Sequence, residues 1–310
     1  MACSWTARWL IVVKMLVSTC GSLERIDPEN CGMVVVSALN VKILQLEYCK
    51  KPDNYLTSLF GTFVQKNPML KSIVATILLF TFTSFLWSQN VTHGQWTDLL
   101  QKYVDPYGNV NYQGFKSDEE VLNQYLEFLE KNPPQPNWKV EQQEAFWINA
   151  YNAFTIKLIL KYYPLKTIMD IKEDGKDAWN IPFIDIGGKL YTLNYIEKTM
   201  LLGQFNDSRI HFAINCSAKS CPPLRNKAYT AENLNIELRL AARGFINDDR
   251  YNILSKNHLQ VSKIFEWYAS DFLKEESSIP VYINKQTPHL EIAKNASLNF
   301  LKYNWDLNGK

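Results

Sequence analysis

The spacing of apolar residues predicts that most of the chain after residue 95 is helical. Apolar side chains recur every three or four positions in residues 96–103, 118–131, 230–245 and 263–273, which is typical of helices that bury one face. Residues 141–163 differ, because their first half is apolar on nearly all sides. We therefore predict a fully buried helix there, ending at Pro164. A further helix is expected to begin at Asn194 and end at Gly203.

Shorter alternating segments predict a small amount of β structure. Residues 183–186 and 189–191 flank Gly187-Gly188, which favours a hairpin with a primed turn, and residues 251–261 predict a second hairpin. Residues 210–216 form an apolar run that predicts a short buried strand, followed by a tight loop. The expected fold class is α+β: a single, mainly helical domain whose small antiparallel sheet contains the His211 strand and packs against the long helix.

The N-terminal third contains an apolar run that is typical of an export signal. Met69-Leu-Lys71 precedes apolar residues 73–87, and a polar stretch follows. The run is shorter than the roughly 20 apolar residues of a spanning helix. We therefore predict a signal peptide over residues 69–88 and a spurious or unstructured extension over residues 1–68. The alternative is a signal-anchor that attaches the protein to the membrane through residues 73–87. Either way, residues 89–310 form an exported globular domain, periplasmic or extracellular.

Composition narrows the class of protein. The chain is 46% hydrophobic and 21% charged, which excludes a disordered or collagen-like protein. A formal net charge of +2 gives no indication of a nucleic-acid partner. The sequence contains no glycine-rich phosphate loop, zinc-protease motif or serine-nucleophile motif, so we predict no cofactor.

Candidate chemistry is concentrated around His211, Cys216 and Cys221. A disulfide between the two cysteines is the preferred interpretation, because they are the only cysteines of the exported part. A cysteine nucleophile with His211 as its base is a second interpretation. A metal site from the three residues is a third, although the spacing matches no common zinc pattern. In a fourth, His211 is simply a buried core residue.

Polar residues within the buried helix add to this candidate site. Glu144, Asn149 and Asn152 must find partners, because unpaired polar groups destabilise a core. The two amides either hold loops by bonding their backbone or, together with Glu144, line a site that faces the His/Cys segment. Arg209 either pairs with Asp207 or holds an anionic substrate.

Two segments carry a family resemblance: Ala145-Phe-Trp-Ile-Asn-Ala-Tyr-Asn-Ala-Phe-Thr155 and Arg209-Ile-His-Phe-Ala-Ile-Asn-Cys-Ser-Ala-Lys-Ser-Cys-Pro222. Together with residues 96–104, 108–112, 193–197 and 261–272, they resemble the domain of unknown function 547 family. Residues 303–308 are similar to its exported bacterial branch. The resemblance covers residues 95–308 and leaves residues 1–68 outside. The family's motif elements fall on Asn149, Tyr151, Asn152, Arg209, His211, Cys216, Cys221 and Pro222. Because its members are largely uncharacterised, the resemblance implies where a site lies and names no reaction.

The sequence therefore predicts an exported domain with an unknown substrate or envelope partner. The catalytic candidates are His211, Cys216, Cys221, Glu144 and Asn152; the substrate-binding candidates are Asn149, Tyr151 and Arg209; no metal is assigned. As an enzyme, the domain would carry out Cys/His-assisted hydrolysis or acyl transfer at the cell envelope. The alternative is a non-catalytic envelope binding or scaffold module with a structural Cys216–Cys221 disulfide.

Overall fold

A computed structural model describes residues 36–38, 41–43 and 92–309. The chain divides into two compact units, residues 1–89 and 90–310. In the first unit, β1 (Val36–Ala38) pairs antiparallel with β2 (Val41–Ile43). The predicted signal peptide or anchor, residues 69–88, lies outside the described residues. No helix in the described ranges is long and apolar enough to cross a membrane.

The second unit is mainly helical, as the apolar spacing predicts. Its α-helices are α1 (Gly94–Tyr103), α2 (Tyr112–Ser117), α3 (Glu119–Lys131), α4 (Val140–Tyr162), α5 (Leu193–Tyr195), α6 (Gly203–Phe205), α7 (Leu234–Ile246), α8 (Ile264–Trp267), α9 (Ala269–Glu275) and α10 (Ile279–Gln286). A π-helix over Ile196–Leu202 joins α5 to α6, and 3-10 helices occupy Ile168–Asp170 and Ser208–Phe212.

The β structure of the second unit consists of several small sheets. Two are antiparallel pairs: β3 (Lys172–Glu173) with β4 (Lys176–Asp177), and β5 (Ile184–Ile186) with β6 (Lys189–Tyr191). The third joins β7 (Ile253–Leu254), β8 (His258–Val261) and β9 (Ser297–Phe300); β7 and β8 are antiparallel, whereas β8 and β9 are parallel. The prediction of one antiparallel sheet is therefore too simple. Both predicted hairpins are confirmed.

Helix α4 lies at the centre of the larger hydrophobic core. Every residue from Glu144 to Ile156 is buried, which confirms the prediction of a helix covered on all sides. It is covered by α2, α3, α5, α7 and the π-helix. A second core forms between α7, α8, α9, α10 and the three-stranded sheet.

The segment around His211 is a 3-10 helix, so the strand predicted for residues 210–216 is wrong, as is the sheet that was to contain it. The side chain of Asp207 accepts a hydrogen bond from the Arg209 N–H and caps this helix. A short apolar run cannot distinguish a buried strand from a buried helical turn. Ile210 packs in the first core and Phe212 in the second, which leaves His211 where the two cores meet.

Candidate functional site

A cavity of about 340 Å³ adjoins His211 and the Cys216–Cys221 loop. Its walls come from α4, the π-helix, the His211 segment, α8 and the C-terminal residues after β9. Six of the sixteen lining residues are aromatic: Tyr151, Trp179, Trp267, Tyr268, Tyr303 and Trp305. The volume falls within the range of small-molecule sites, roughly 300–1,000 Å³, and a mostly apolar wall with a few polar groups is their usual composition.

Four of these rings form one continuous cluster. The ring centroids of Trp267 and Tyr303 lie 4.8 Å apart, and those of Tyr303 and Trp305 lie 4.5 Å apart. Trp179 meets Trp305 edge-on at 5.8 Å. Trp267 is 47% exposed, which is unusual for so large an apolar side chain. The cluster therefore joins the cavity to the surface and offers flat apolar faces to a ligand.

Glu197 is the carboxyl group of the cavity. It is buried and accepts hydrogen bonds from the hydroxyls of Tyr268 (2.7 Å) and Tyr151 (3.2 Å). Burial raises the pKa of Glu197 above its ordinary value, although the two hydroxyl donors oppose this shift. Burial also raises the pKa of both tyrosines, so they remain protonated donors. Burial thus disfavours the negative charge of Glu197, and two tyrosine hydroxyls hydrogen-bond its carboxyl oxygens.

His211 forms the second polar part of the wall. Its Nε2 lies 3.0 Å from Oδ2 of Asp271, and its ring packs against Tyr268 with centroids 4.1 Å apart. Burial lowers the pKa of His211 to about 4, despite the opposing effect of Asp271. His211 is therefore neutral at physiological pH, and its contact with Asp271 is a hydrogen bond that fixes the ring.

The predicted Cys216–Cys221 disulfide is present, with Cα atoms 6.1 Å apart. Both residues line the cavity. In this oxidised form neither sulfur is a free thiol or a metal ligand. Within the described ranges, no group of three or more His, Cys, Asp or Glu residues is placed to hold a metal ion. The cysteine-nucleophile interpretation thus applies only to the reduced protein, where it stays a prediction.

The two helix amides bond backbone rather than lining the cavity. Asn149 donates to the carbonyl of Tyr229 (2.8 Å) and accepts from its N–H (3.1 Å). Asn152 donates to the carbonyl of Ala213 (2.9 Å) and accepts from the N–H of Asn215 (2.8 Å). Asn152 therefore holds the segment that leads from His211 to Cys216, and both amides match the loop-holding interpretation. A direct role for either one in catalysis or substrate binding stays a prediction.

The other predicted site residues divide between the cavity and its surroundings. Tyr151 lines the cavity, whereas Glu144 and Arg209 do not. Arg209 forms the expected ion pair, donating through Nε to Asp207 at 2.8 Å. Glu144 is buried, and its Oε1 has no hydrogen-bond partner among the described residues. Burial, together with the negative charge of Asp207, raises the pKa of Glu144 to about 7.

Sequence reasoning missed much of this wall. It did not include Glu197, Asp271 or the aromatic residues after residue 260 in the candidate site. A signal was present, because residues 193–197, 261–272 and 303–308 are among the segments that carry the family resemblance. Those segments supply Glu197, Trp267, Tyr268, Tyr303 and Trp305, which meet only in the folded protein.

Comparisons with known proteins give one match. Residues 136–246 match the model of a family described as "Protein of unknown function, DUF547". No curated protein and no solved structure matches the chain. The matched region contains α4, Glu197, His211 and the disulfide loop, whereas the aromatic residues of the C-terminal part lie beyond it. The match supports the resemblance seen in the sequence: residues 136–246 of this chain are similar to the DUF547 family.

Proposed function

We propose that the exported domain is a binding module of the cell envelope whose aromatic cavity holds a saccharide. The observation that carries this proposal is the cluster of Trp179, Trp267, Tyr303 and Trp305 along one continuous wall. A sugar ring has an apolar C–H face, which packs on aromatic rings, and hydroxyl groups around its edge, which need hydrogen-bond partners. Aromatic side chains also add contact area at little cost in conformational entropy.

The polar groups of the cavity suit a neutral ligand. Glu197 has a raised pKa and shares its oxygens with two tyrosines, and His211 is neutral at physiological pH. Lys198 is exposed at the edge of the cavity, where water screens its charge. An anionic ligand would find no buried cationic side chain in such a wall, and a cationic ligand would find only Glu197, whose negative charge is disfavoured by burial. Hydroxyl groups could bond Glu197, Asn194 or His211, which all line it.

The envelope location rests on the apolar run of residues 73–87, and the disulfide agrees with an oxidising compartment. In a binding module, the buried amides Asn149 and Asn152 hold the segments that form the wall. This function corresponds to the binding-module alternative of the sequence analysis and requires no free cysteine.

Calorimetric titration with cellotetraose, maltotetraose and chitotetraose tests the proposal. We expect at least one of these to bind the oxidised protein, and Trp305→Ala to weaken that binding about tenfold or more, because it removes one of the aromatic rings on which the sugar would pack. The matched control is Tyr107→Ala, which removes an exposed ring (66% exposed) outside the cavity and should leave the Kd unchanged. If no saccharide binds, or if Trp305→Ala binds like the wild type, the proposal is wrong.

The His211–Asp271 hydrogen bond favours a second candidate function, acid–base hydrolysis or acyl transfer. An imidazole held by a carboxylate is the arrangement that activates a nucleophile in many hydrolases. Hydrolysis of p-nitrophenyl acetate by the oxidised and the reduced protein tests this candidate. It requires turnover that His211→Asn lowers by about a hundredfold or more, the usual contribution of a general base. Equal rates for the wild type and His211→Asn would exclude it.

A further inference from the structure

We propose that the Cys216–Cys221 disulfide is redox-active and exchanges with a small thiol that enters the aromatic cavity. In this exchange Cys216 is attacked and Cys221 leaves as a thiolate. Both cysteines line the cavity, so the bond lies on an accessible wall rather than inside a core. A disulfide that only stabilised the loop would not need to line a cavity, whereas one that reacts with a thiol must be accessible to it.

The two sulfurs differ in ways that assign these roles. Cys216 is partly exposed, whereas Cys221 is only 4% exposed, so an incoming thiolate reaches Cys216 first. The sulfur of Cys221 accepts two hydrogen bonds, from the Cys216 N–H (3.0 Å) and from the Tyr303 hydroxyl (3.2 Å). The Tyr303 hydroxyl lies slightly farther, 3.4 Å, from the sulfur of Cys216, so the Cys216 N–H is the donor that belongs to Cys221 alone. Hydrogen bonds to a developing thiolate stabilise its charge and make it a better leaving group.

The loop between the cysteines is held independently of the disulfide. The side chain of Asn215 accepts from the Ser217 N–H (2.8 Å) and donates to the carbonyl of Pro222 (2.7 Å), which closes the loop across its two ends. The N–H groups of Lys219 and Ser220 donate to the carbonyls of Asp306 and Asn304 on the C-terminal segment. Opening the disulfide therefore leaves both thiols in place, and the bond can close again.

The exchange balances with a thiol as the only co-reactant. A thiolate attacks Sγ of Cys216, a new S–S bond forms between the two, and the Cys216–Cys221 bond breaks to release the Cys221 thiolate. A second thiol group then attacks the substrate sulfur of this mixed disulfide and releases the Cys216 thiolate. The two thiols are oxidised to a disulfide, the protein disulfide is reduced by two electrons, and the protons of the thiols pass to the protein thiolates or to water.

The test is the rate at which glutathione reduces the folded protein, followed by alkylation and intact mass. We expect reduction faster than global unfolding, and Tyr303→Phe to slow it about three- to tenfold because one donor to the leaving sulfur is lost. Tyr282→Phe is the matched control, since it also removes a hydrogen-bonded tyrosine hydroxyl, one that pairs with Ser208 instead. It should react like the wild type.

Peptide mapping of the early product gives a second, independent readout. Acid quenching should trap glutathione on Cys216 and leave Cys221 free for alkylation. Three results would overturn the proposal: reduction only at the rate of global unfolding, an unchanged rate in Tyr303→Phe, or glutathione on Cys221. Saccharide binding is measured on the oxidised protein, so failure of the binding proposal and failure of the exchange are separate results.

Discussion

At the scale of single residues, the buried polar groups decide how the site is built. Asn149 and Asn152 could be recognised in the sequence as buried amides, but their partners could not. Those partners lie 61 to 80 positions further along the chain, at Ala213 and Tyr229, and only folding brings them to α4. A buried amide needs a hydrogen-bond partner, but the sequence does not show whether that partner is the backbone or a substrate.

Asn152→Ala is expected to destabilise the domain by about 3 kcal/mol, because it leaves a buried carbonyl and a buried N–H without their partner. Urea denaturation measures this loss. The exposed residue Asn295 provides the control, and Asn295→Ala should change the free energy of unfolding by less than about 0.5 kcal/mol. An Asn152→Ala protein that is as stable as the wild type but fails to bind ligand would instead assign Asn152 to direct substrate contact.

Glu144 makes stability depend on pH. Its pKa in the folded protein is about 7, above the ordinary value of 4.5. The protonated carboxyl is therefore favoured by folding, and its stabilisation of the folded state is fully present below pH 4.5 and is lost as the pH rises through 7. Glu144→Gln removes this loss, and we expect the variant to be more stable than the wild type by about 2 kcal/mol at pH 8. At pH 4 the two should differ little.

Thermal unfolding between pH 4 and pH 8 measures this difference. His211 acts in the opposite sense, because its lowered pKa stabilises the fold above pH 6.5 and that contribution is lost as the pH falls through 4. Since both proteins contain His211, its effect cancels in the comparison. A wild type that stays as stable as Glu144→Gln at pH 8 would show that Glu144 reaches a partner or water.

At the scale of elements, the sequence predicted most of the long-period structure. Helices α3 and α4 and the β5–β6 hairpin lie where the apolar spacing and Gly187-Gly188 place them. Other predictions were wrong about where short helices begin and end, since a single hydrogen bond can set such a boundary. Thr192, not Asn194, caps α5, and the helical run continues through Gly203 to Asn206, whose left-handed backbone (φ 51°) ends it.

The break between α8 and α9 shows the same limit. The predicted helix over residues 263–273 divides at Tyr268, which has a non-helical backbone. Its hydroxyl donates to Glu197, and its ring packs on His211. Apolar periodicity is insensitive to one non-helical residue, so the sequence could not show the break that places Tyr268 in the cavity.

The turn at Gly108 packs closely against Pro223, which follows the disulfide loop. Gly108 has φ +82°, and a Cβ there would lie 2.5 Å from the Cβ of Pro223. Gly175 also has a positive φ (+74°), but no atom lies within 4 Å of its Cβ position. We expect Gly175→Ala to cost about 1 kcal/mol in backbone strain alone. Gly108→Ala should cost roughly 1–3 kcal/mol more, because a contact between backbones must also open.

Urea denaturation of both glycine variants gives the comparison. Because both positions carry the same kind of backbone strain, the difference in their free energies of unfolding isolates the close packing of the turn against Pro223. Equal losses of stability in the two variants would show that this packing contributes nothing.

At the scale of the whole molecule, the candidate site is a product of tertiary structure. Tyr151, Glu197, His211 and Trp305 lie far apart in the chain and meet around one cavity. The family resemblance indicated several of these segments, but neither spacing nor composition showed that they converge. The boundaries predicted for the extension, the signal and the exported domain stay predictions, because residues 44–91 lie outside the described part of the chain.

The most direct test of the account follows the tryptophan indole N–H signals by NMR while the protein is titrated with cellotetraose, maltotetraose and chitotetraose. Trp179, Trp267 and Trp305 line the cavity, whereas Trp96 and Trp147 are buried elsewhere and serve as internal controls. The account predicts that one saccharide shifts the three cavity signals with a common Kd and leaves both control signals in place. Shifts confined to tryptophans outside the cavity, or no shift with any of the three saccharides, would contradict it.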